Sequence, residues 1–291
     1  MARKNNLGPR IACELTAQRV IVARAADNSS AIETSTVRSL PAGALVPSLT
    51  ETNLKDSSAV EQGIRDAINI VGAKHRDVVA ILPDTAVRVA LLDFESLPGK
   101  QDEADAVVRF RLKKALPFDV DQAAISYEVR RTNTIRVIVA AVSKSVLGEY
   151  EAVFHSCGLA PGVVLPSILA CLGNVTATEP TLVIKVDVTT TTFAIVADND
   201  LLLLRTLENT GSQVPASTQL VEDVFPSLIF FQDTYNMKVA NILVGGLVDA
   251  EHCGELESQT DVKVNDLVSA TLGSNSLPGS MMAGVVGALA G

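Results

Sequence analysis

Residues 97–129 read LPGKQDEADAVVRFRLKKALPFDVDQAAISYEV and contain the most informative part of the chain. Pro98-Gly99 predicts a turn, and the apolar spacing after it predicts an amphipathic helix. Acidic residues lie in the first turn of that helix and basic residues near its end, which suits the helix dipole. Pro117 ends the helix, and residues 124–130 are predicted to form a strand. The stretch therefore predicts a turn, a helix and a strand in that order.

The segments on both sides of this stretch predict two α/β units that begin in the same way. Each unit opens with a strand, a turn and two further strands, and an amphipathic helix follows. The first unit has predicted strands at 10–15, 19–25, 32–39, 78–82, 87–94 and 136–142, with helices at 57–71 and 143–157. The second unit begins near Thr181, with predicted strands at 182–188, 192–197, 201–206 and 241–244 and a helix at 219–235. This echo predicts a duplicated fold.

Composition excludes several classes of function. The 291 residues include 33 acidic and 24 basic side chains, for a formal charge of −9, and no Lys/Arg-rich block occurs. A nucleic-acid partner is therefore not expected. Tryptophan is absent and aromatic residues make up 4% of the chain, which argues against a stacking platform for bases. With neither a signal-peptide pattern nor a membrane-length apolar run, the expected location is cytoplasmic.

Metal and redox sites are also not expected. The four cysteines lie singly along the chain, so no C-x-x-C pair suggests zinc or redox chemistry. The three histidines are dispersed without a ligand spacing. We therefore expect the cysteines to be buried thiols, and the histidines to lie at the surface or to be hydrogen-bonded.

Two predicted strands end in an acid-x-Thr turn, and a third is followed by a glycine pair. The turns are Glu14-Leu15-Thr16 and Asp187-Val188-Thr189, and the pair is Gly245-Gly246. This order resembles the two phosphate loops and the adenosine loop of the actin-like ATPase superfamily. The middle of the chain, from the 97–129 stretch to Pro166-Ser167, resembles more specifically the PilM family of type IV pilus assembly proteins.

The resemblance implies an α/β, two-lobed actin-like (ribonuclease H-like) fold. The first lobe would span 1–179 with an inserted subdomain at about 82–160. The second lobe would span 180–291. It would be shortened, because only one turn region and roughly one helix fit between Leu204 and Asn241. Proteins of this family lie at the inner face of the bacterial inner membrane, so the same location is expected here.

The resemblance also implies a partner and a groove. The family docks the cytoplasmic N-terminal tail of a PilN-like bitopic membrane protein in a groove of the first lobe, and self-association is left open. The chain would then be peripheral to the membrane through its partner. An extended tail can add to a strand edge, where backbone hydrogen bonds give affinity. The candidate groove residues are Leu82, Val87, Val89, Val108 and Leu112. Leu82→Asp or Val89→Asp is expected to abolish tail binding in a folded protein.

The implied nucleotide residues are Glu14, Thr16, Asp187, Thr189, Gly245 and Gly246, but the loops depart from the family pattern. Threonine replaces glycine in both phosphate loops, Glu14 replaces aspartate, and the family's lysine after the first loop aligns with Ile21. Phosphate loops use glycine because backbone N–H groups must approach the phosphates closely. The expected function is therefore a non-catalytic scaffold with neither cofactor nor metal. An ATP-binding switch using ATP and magnesium is the alternative, and a type II secretion platform protein is a weaker one.

Two further hypotheses concern the function of charged residues. Glu14 and Asp187 could form a paired-carboxylate acid/base site of the kind glycosidases use, although strand-end turn residues are the more ordinary reading. Four basic residues between 109 and 114 could contact anionic lipid head groups. A solvated helix end favoured by its dipole is the simpler explanation of those charges.

Overall fold

The computed structural model describes residues 9–27, 29–72, 75–131, 134–209, 211, 213–268 and 278–290. Residues 1–8 and 291 of the predicted lobes lie outside these ranges. The strands are β1 Ile11–Leu15, β2 Arg19–Ala25, β3 Ile32–Ser39, β4 Asp77–Leu82, β5 Arg88–Phe94, β6 Ala123–Arg131, β7 Ile135–Ser143, β8 Ala160–Pro166, β9 Thr181–Val186, β10 Thr190–Ala197, β11 Asp200–Glu208, β12 Asn241–Gly246 and β13 Val264–Asp266. The helices are α1 Ser57–Val71, α2 Gln101–Leu112, α3 Lys144–Ser156, α4 Ser167–Leu172, α5 Ser217–Tyr235, α6 Ala250–Thr260 and α7 Ala283–Ala290.

Two five-stranded sheets share one topology. Their strand orders are β3-β2-β1-β4-β8 and β11-β10-β9-β12-β13. In each sheet three antiparallel strands come first, and two strands parallel to the central one follow. The duplication predicted from the strand echo is therefore visible as matching strand order.

Helix α1 packs on one face of the first sheet because its apolar residues recur at helical spacing. Val60, Ile64 and Ala67 are fully buried against β1 and β2 residues such as Val20. The Asp56 side chain caps the helix by accepting from the backbone N–H of Ala59. Gly72 ends the helix with a φ of 65°, a conformation that glycine adopts without steric cost. The predicted boundaries of this helix match the structure.

Strand β8 lies at the edge of the first sheet, and the sequence did not predict it. Pro161, Gly162 and Pro166 argue against a strand, because proline cannot donate a hydrogen bond to a neighbouring strand. At a sheet edge one side of the strand needs no partner, so proline is tolerated there. The result is an open edge at β8.

The inserted segment forms a small three-stranded antiparallel sheet, ordered β5-β7-β6, with α2 on one face. Alternate residues of β7 face opposite sides, so Val137 and Val139 pack under α2 while Ala140 and Val142 face away. On β7, Arg136 donates to Tyr235 Oη of α5 at 3.1 Å. This bond ties the small sheet to the helix that covers the second large sheet.

The second sheet carries α5 and α6. Every residue of β9 and β10 is buried, which is typical of central strands covered on both faces. Between β11 and β12 lie residues 209–216, α5 and residues 236–240. Helix α5 continues through Pro226, whose side chain is exposed.

The C-terminal helix α7 packs on the first sheet, although the predicted range 180–291 assigned it to the second lobe. Val285 and Leu289 join a core with Ala12, Ile21 and Val79. Helices α4 and α7 meet backbone to backbone, because a Cβ on Gly287 would overlap the carbonyl oxygen of Ala170. Close packing of α7 against α4 therefore explains the small residues of α7. Across the described part of the chain, no helix is both long enough and apolar enough to cross a membrane.

Candidate functional site

The two acid-x-Thr turns face one cleft between the five-stranded sheets. Glu14, Thr16 and Asp187 contribute to its wall, and Asp84 and Lys185 contribute from the strand ends between them. Thr189 and the Gly245-Gly246 pair do not contribute. The structure therefore brings three of the six predicted nucleotide residues to one place and adds two charged groups that the sequence analysis did not single out.

A buried ion pair fills the centre of this cleft. The Lys185 ammonium group donates to Glu14 Oε1 and to Ser167 Oγ, and the Ser167 hydroxyl donates to the same carboxylate oxygen. Lys185 is 8% exposed and Glu14 is 1% exposed. Because Glu14 lies on β1 and Lys185 on β9, the pair joins the two five-stranded sheets directly.

Asp84 adds a second link across the cleft. Its Oδ1 accepts from the backbone N–H of Ile168 at 2.8 Å, and its Oδ2 accepts from Thr192 Oγ1 of β10 at 2.9 Å. Burial raises the pKa of Asp84, against the opposing effect of Lys185. Burial would lower the pKa of Lys185, but the nearby Glu14 carboxylate outweighs it, so the net pKa is raised. Lys185 is therefore charged and held by acids of the other sheet.

The cleft does not fit a nucleotide. Its free volume is about 20 Å³, which is room for about one water molecule. The Lys185 side chain and its partners fill the space between the two turns, where phosphates would have to lie. Thr16 also places a β-branched side chain where the family has glycine. The residues present thus suit a closed polar contact between lobes and do not suit ATP with magnesium.

The glycine pair has a packing explanation. A Cβ on Gly246 would overlap the carbonyl oxygen of Val186, and the φ of this residue is +86°. A Cβ on Gly245 would lie 2.9 Å from the Cβ of Ala283. Both glycines are therefore needed for the close approach of β12 to its neighbours, without any ligand.

Lys185 and Asp84 are the charged site residues that the sequence analysis missed, and Lys185 is the one with a signal in the sequence. The signal was present: β9 reads Thr-Leu-Val-Ile-Lys-Val, and its lysine stands among the apolar residues that follow Thr181. A lysine is almost never fully buried without a partner. Its partner Glu14 lies 171 positions away, so the pairing could not be read from local spacing.

The remaining titratable groups form no second chemical site in the described ranges. No group of His, Cys, Asp and Glu side chains there could hold a metal ion. Cys13 and Cys171 are buried, Cys157 and Cys253 are partly buried, and all four are free thiols. His252 is hydrogen-bonded to Asp249, and the other two histidines are exposed. Glu14 and Asp187 share the cleft, but its volume leaves no room for a sugar between them.

A different feature, an apolar cavity of about 190 Å³, lies between the first sheet and the small sheet. We call it the apolar groove. Ala124 and Ser126 of β6, Ala140 and Val142 of β7, Leu147 of α3 and Val164 of β8 form most of its wall. Strands β6 and β8 are edge strands of their sheets. The groove therefore combines an apolar lining with free backbone edges on two sides.

The structure brings two of the five predicted groove residues to this wall. Leu82 and Val87 line the groove. Val89 pairs with Ala140 on the neighbouring strand but is not in the wall. Val108 and Leu112 are fully buried between α2 and the other face of the small sheet.

The burial of Leu82 changes the design of the mutational test. This side chain is fully buried in the main core of the first sheet. Leu82→Asp would place a carboxylate in that core and unfold the protein. A test of binding at the groove therefore needs residues that are partly exposed.

Comparison with known proteins finds similarity in structure and none in sequence. No protein-family model matches the chain, and no curated protein sequence matches it. A solved structure described as the PilM-PilN type IV pilus biogenesis complex superposes with a TM-score of 0.82 at 16% identity, covering 97% of this chain and 98% of the other. The cytoplasmic domain of EpsL, an inner-membrane component of the type II secretion system of Vibrio cholerae, gives 0.57 at 10% identity, covering 96% and 93%.

A third solved structure, the ethanolamine utilization protein EutJ from Carboxydothermus hydrogenoformans, gives a TM-score of 0.55 at 9% identity, covering 98% of this chain and 91% of the other. These likenesses establish the fold. The chain has the two-lobed actin-like fold, in an arrangement similar to that of the PilM-PilN complex over nearly its full length. The predicted two-lobed actin-like fold class is confirmed, and the PilM-like resemblance, carried by the segments from the 97–129 stretch to Pro166-Ser167, agrees with this structural similarity.

Proposed function

We propose that this chain is a non-catalytic docking scaffold of a type IV pilus assembly platform at the inner face of the bacterial inner membrane. The occupant of its apolar groove is the cytoplasmic tail of a PilN-like bitopic membrane protein. The observation that carries this proposal is the groove itself, with its apolar lining and the open edges of β6 and β8. The similarity in fold to the PilM-PilN complex supports the same assignment.

The groove offers the two features that an extended peptide needs. Unpaired N–H and C=O groups along an edge strand can bind the backbone of an added strand. The lining of small and aliphatic side chains, such as Ala124 and Val164, can accept alternate apolar side chains of that strand. An extended tail with apolar residues at every second position fits this surface best.

The filled cleft favours a scaffold over a nucleotide switch. ATP could enter only if Lys185 and Glu14 separated, which would leave two charges without partners in a buried site. The ion pair itself joins the two sheets, so this link needs no phosphate between them. The type II secretion alternative shares the fold, but the lower TM-score, 0.57 against 0.82, favours the pilus assignment.

The docking proposal is tested by titrating the purified chain with a synthetic peptide. The peptide has the sequence of the cytoplasmic tail of a single-span membrane protein whose gene lies next to the gene for this chain. We expect saturable one-to-one binding that protects β6 and β8 amides from hydrogen exchange. A Kd weaker than ~1 mM, equivalent to about −4 kcal/mol, would reject the proposal, as would protection confined to other strands.

A separate prediction concerns nucleotide. We expect no change in melting temperature when Mg-ATP is added to millimolar concentration, because the cleft has room for about one water molecule. A ligand present at 100 times its Kd stabilises a protein by about 2.7 kcal/mol, which a thermal melt detects. A reproducible rise in melting temperature with Mg-ATP, absent with magnesium chloride alone, would contradict the scaffold proposal and favour the ATP-binding switch.

A further inference from the structure

Helix α2 ends in an exposed aromatic and basic surface that the docking proposal does not use. Phe110 is 74% exposed, more than any other large hydrophobic side chain in the described ranges. Arg111, Lys113 and Lys114 follow it in sequence and are all exposed. We call these four residues the α2 patch.

The position of Phe110 follows from helix geometry. Val108 and Leu112 face the small sheet and are fully buried. At 100° per residue, position 110 lies on the opposite side of the helix. Phe110 is therefore held facing solvent, and no rotamer would return its ring to that core.

The cations of the α2 patch are not engaged by acids. In the part of the chain that the structure describes, no ion pair or side-chain hydrogen bond involves Arg111, Lys113 or Lys114. The Arg111 guanidinium lies 5.6 Å from the ring centroid of Phe94, and this cation–π contact leaves its charge unpaired by an acid. Two acids of α2, Asp102 and Glu103, lie in its first turn, at the other end of the helix. The third, Asp105, accepts hydrogen bonds from Gln101 and Tyr127.

We propose that the α2 patch is a weak contact for an anionic lipid surface, separate from the tail groove. An exposed aromatic ring flanked by lysine and arginine is the composition of interfacial membrane contacts, where the ring enters the head-group region and the cations meet lipid phosphates. The whole chain has a formal charge of −9, so the residues outside the α2 patch are strongly acidic. The α2 patch would therefore be attracted to such a surface while most of the molecule is repelled by it.

The lipid contact of the α2 patch is expected to be weak by itself and to strengthen attachment when a second membrane contact is present. Each basic residue near an anionic membrane contributes about fivefold in partitioning, from about 1 kcal/mol. Three cations and one ring give reversible binding, and stable attachment needs a second signal. The docked tail of a membrane protein would supply that signal, because the α2 patch and the groove lie on opposite faces of the small sheet.

Phe110→Trp tests the proposal directly, because the chain contains no tryptophan and the new indole would be its only one. The variant is titrated with vesicles of phosphatidylcholine containing phosphatidylserine, and with phosphatidylcholine alone. We expect a blue shift of the emission with the anionic vesicles only, and we expect added salt to reverse it. Adding Lys113→Glu and Lys114→Glu to the Phe110→Trp variant should weaken its partitioning into the anionic vesicles at least tenfold.

The matched control is Phe230→Trp on α5. Phe230 is also exposed, at 58%, and acidic residues such as Asp233 lie near it in sequence. This variant should show no shift with either vesicle. Equal shifts for both variants, or none for Phe110→Trp, would overturn the proposal. A shift that depends on protein concentration without vesicles would instead identify a contact between copies of the chain. No peptide is present, so failure here would leave the docking proposal standing.

Discussion

Lys185→Met is expected to lower the free energy of unfolding by about 3–5 kcal/mol, as removal of one partner from a buried ion pair does. The substitution keeps an unbranched side chain of similar length and removes the charge. Glu14 would then remain buried with a carboxylate that faces only the Ser167 hydroxyl. Its other oxygen, Oε2, is already buried without a hydrogen-bond partner in the described structure, so little compensation is available. Urea unfolding followed by far-UV circular dichroism measures the loss.

The control for this experiment is Lys100→Met. Lys100 pairs with Glu103 on the surface of α2, and both side chains are more than half exposed. Surface pairs of this kind contribute about 0–1 kcal/mol. A loss for Lys185→Met no larger than the loss for Lys100→Met would mean that the buried pair does not hold the two sheets together.

A double variant separates the cost of an unpaired charge from the value of the pair. Glu14→Leu combined with Lys185→Met replaces both charges with apolar groups. Replacing a whole buried pair in this way is often neutral or stabilising, so we expect most of the lost stability to return. If the double variant were less stable than Lys185→Met alone, Glu14 would have a structural role beyond binding the lysine.

Ala124→Glu is expected to weaken binding of the tail peptide by about 2 kcal/mol or more, which is about 30-fold. Ala124 lies in the wall of the apolar groove and is partly exposed. In the free protein the new carboxylate can reach water, so the fold should tolerate it. In the complex the peptide would bury that charge without a partner. Calorimetric titration of the peptide into both proteins measures the difference.

Ala106→Glu provides the matched control, since it makes the same change at an exposed position of α2. This helix covers the other face of the small sheet. Peptide binding should be unchanged, and both variants should melt near the parent temperature. Equal affinity for the Ala124→Glu variant and the parent would move the docking site away from the groove.

Much of the fold could be predicted because its signals are local. Alternation and apolar spacing predicted β1 to β3 and α1 with accurate boundaries, and the strand echo predicted the duplicated topology. Strand β8 was missed because its prolines weigh against a strand until its edge position is known. The groove was only partly predicted, since its wall combines positions from 82 to 166 that no motif connects.

By itself the sequence determined β1 to β3 and α1, and it placed threonine at both positions where the resembled family has glycine. These are properties of a few adjacent residues. Only the tertiary structure decided that Lys185 crosses to Glu14 and fills the cleft, and that α7 returns to pack on the first sheet. The physical reason is that a buried charge is stable only beside its partner. Which residue becomes that partner depends on how two distant strands are brought together.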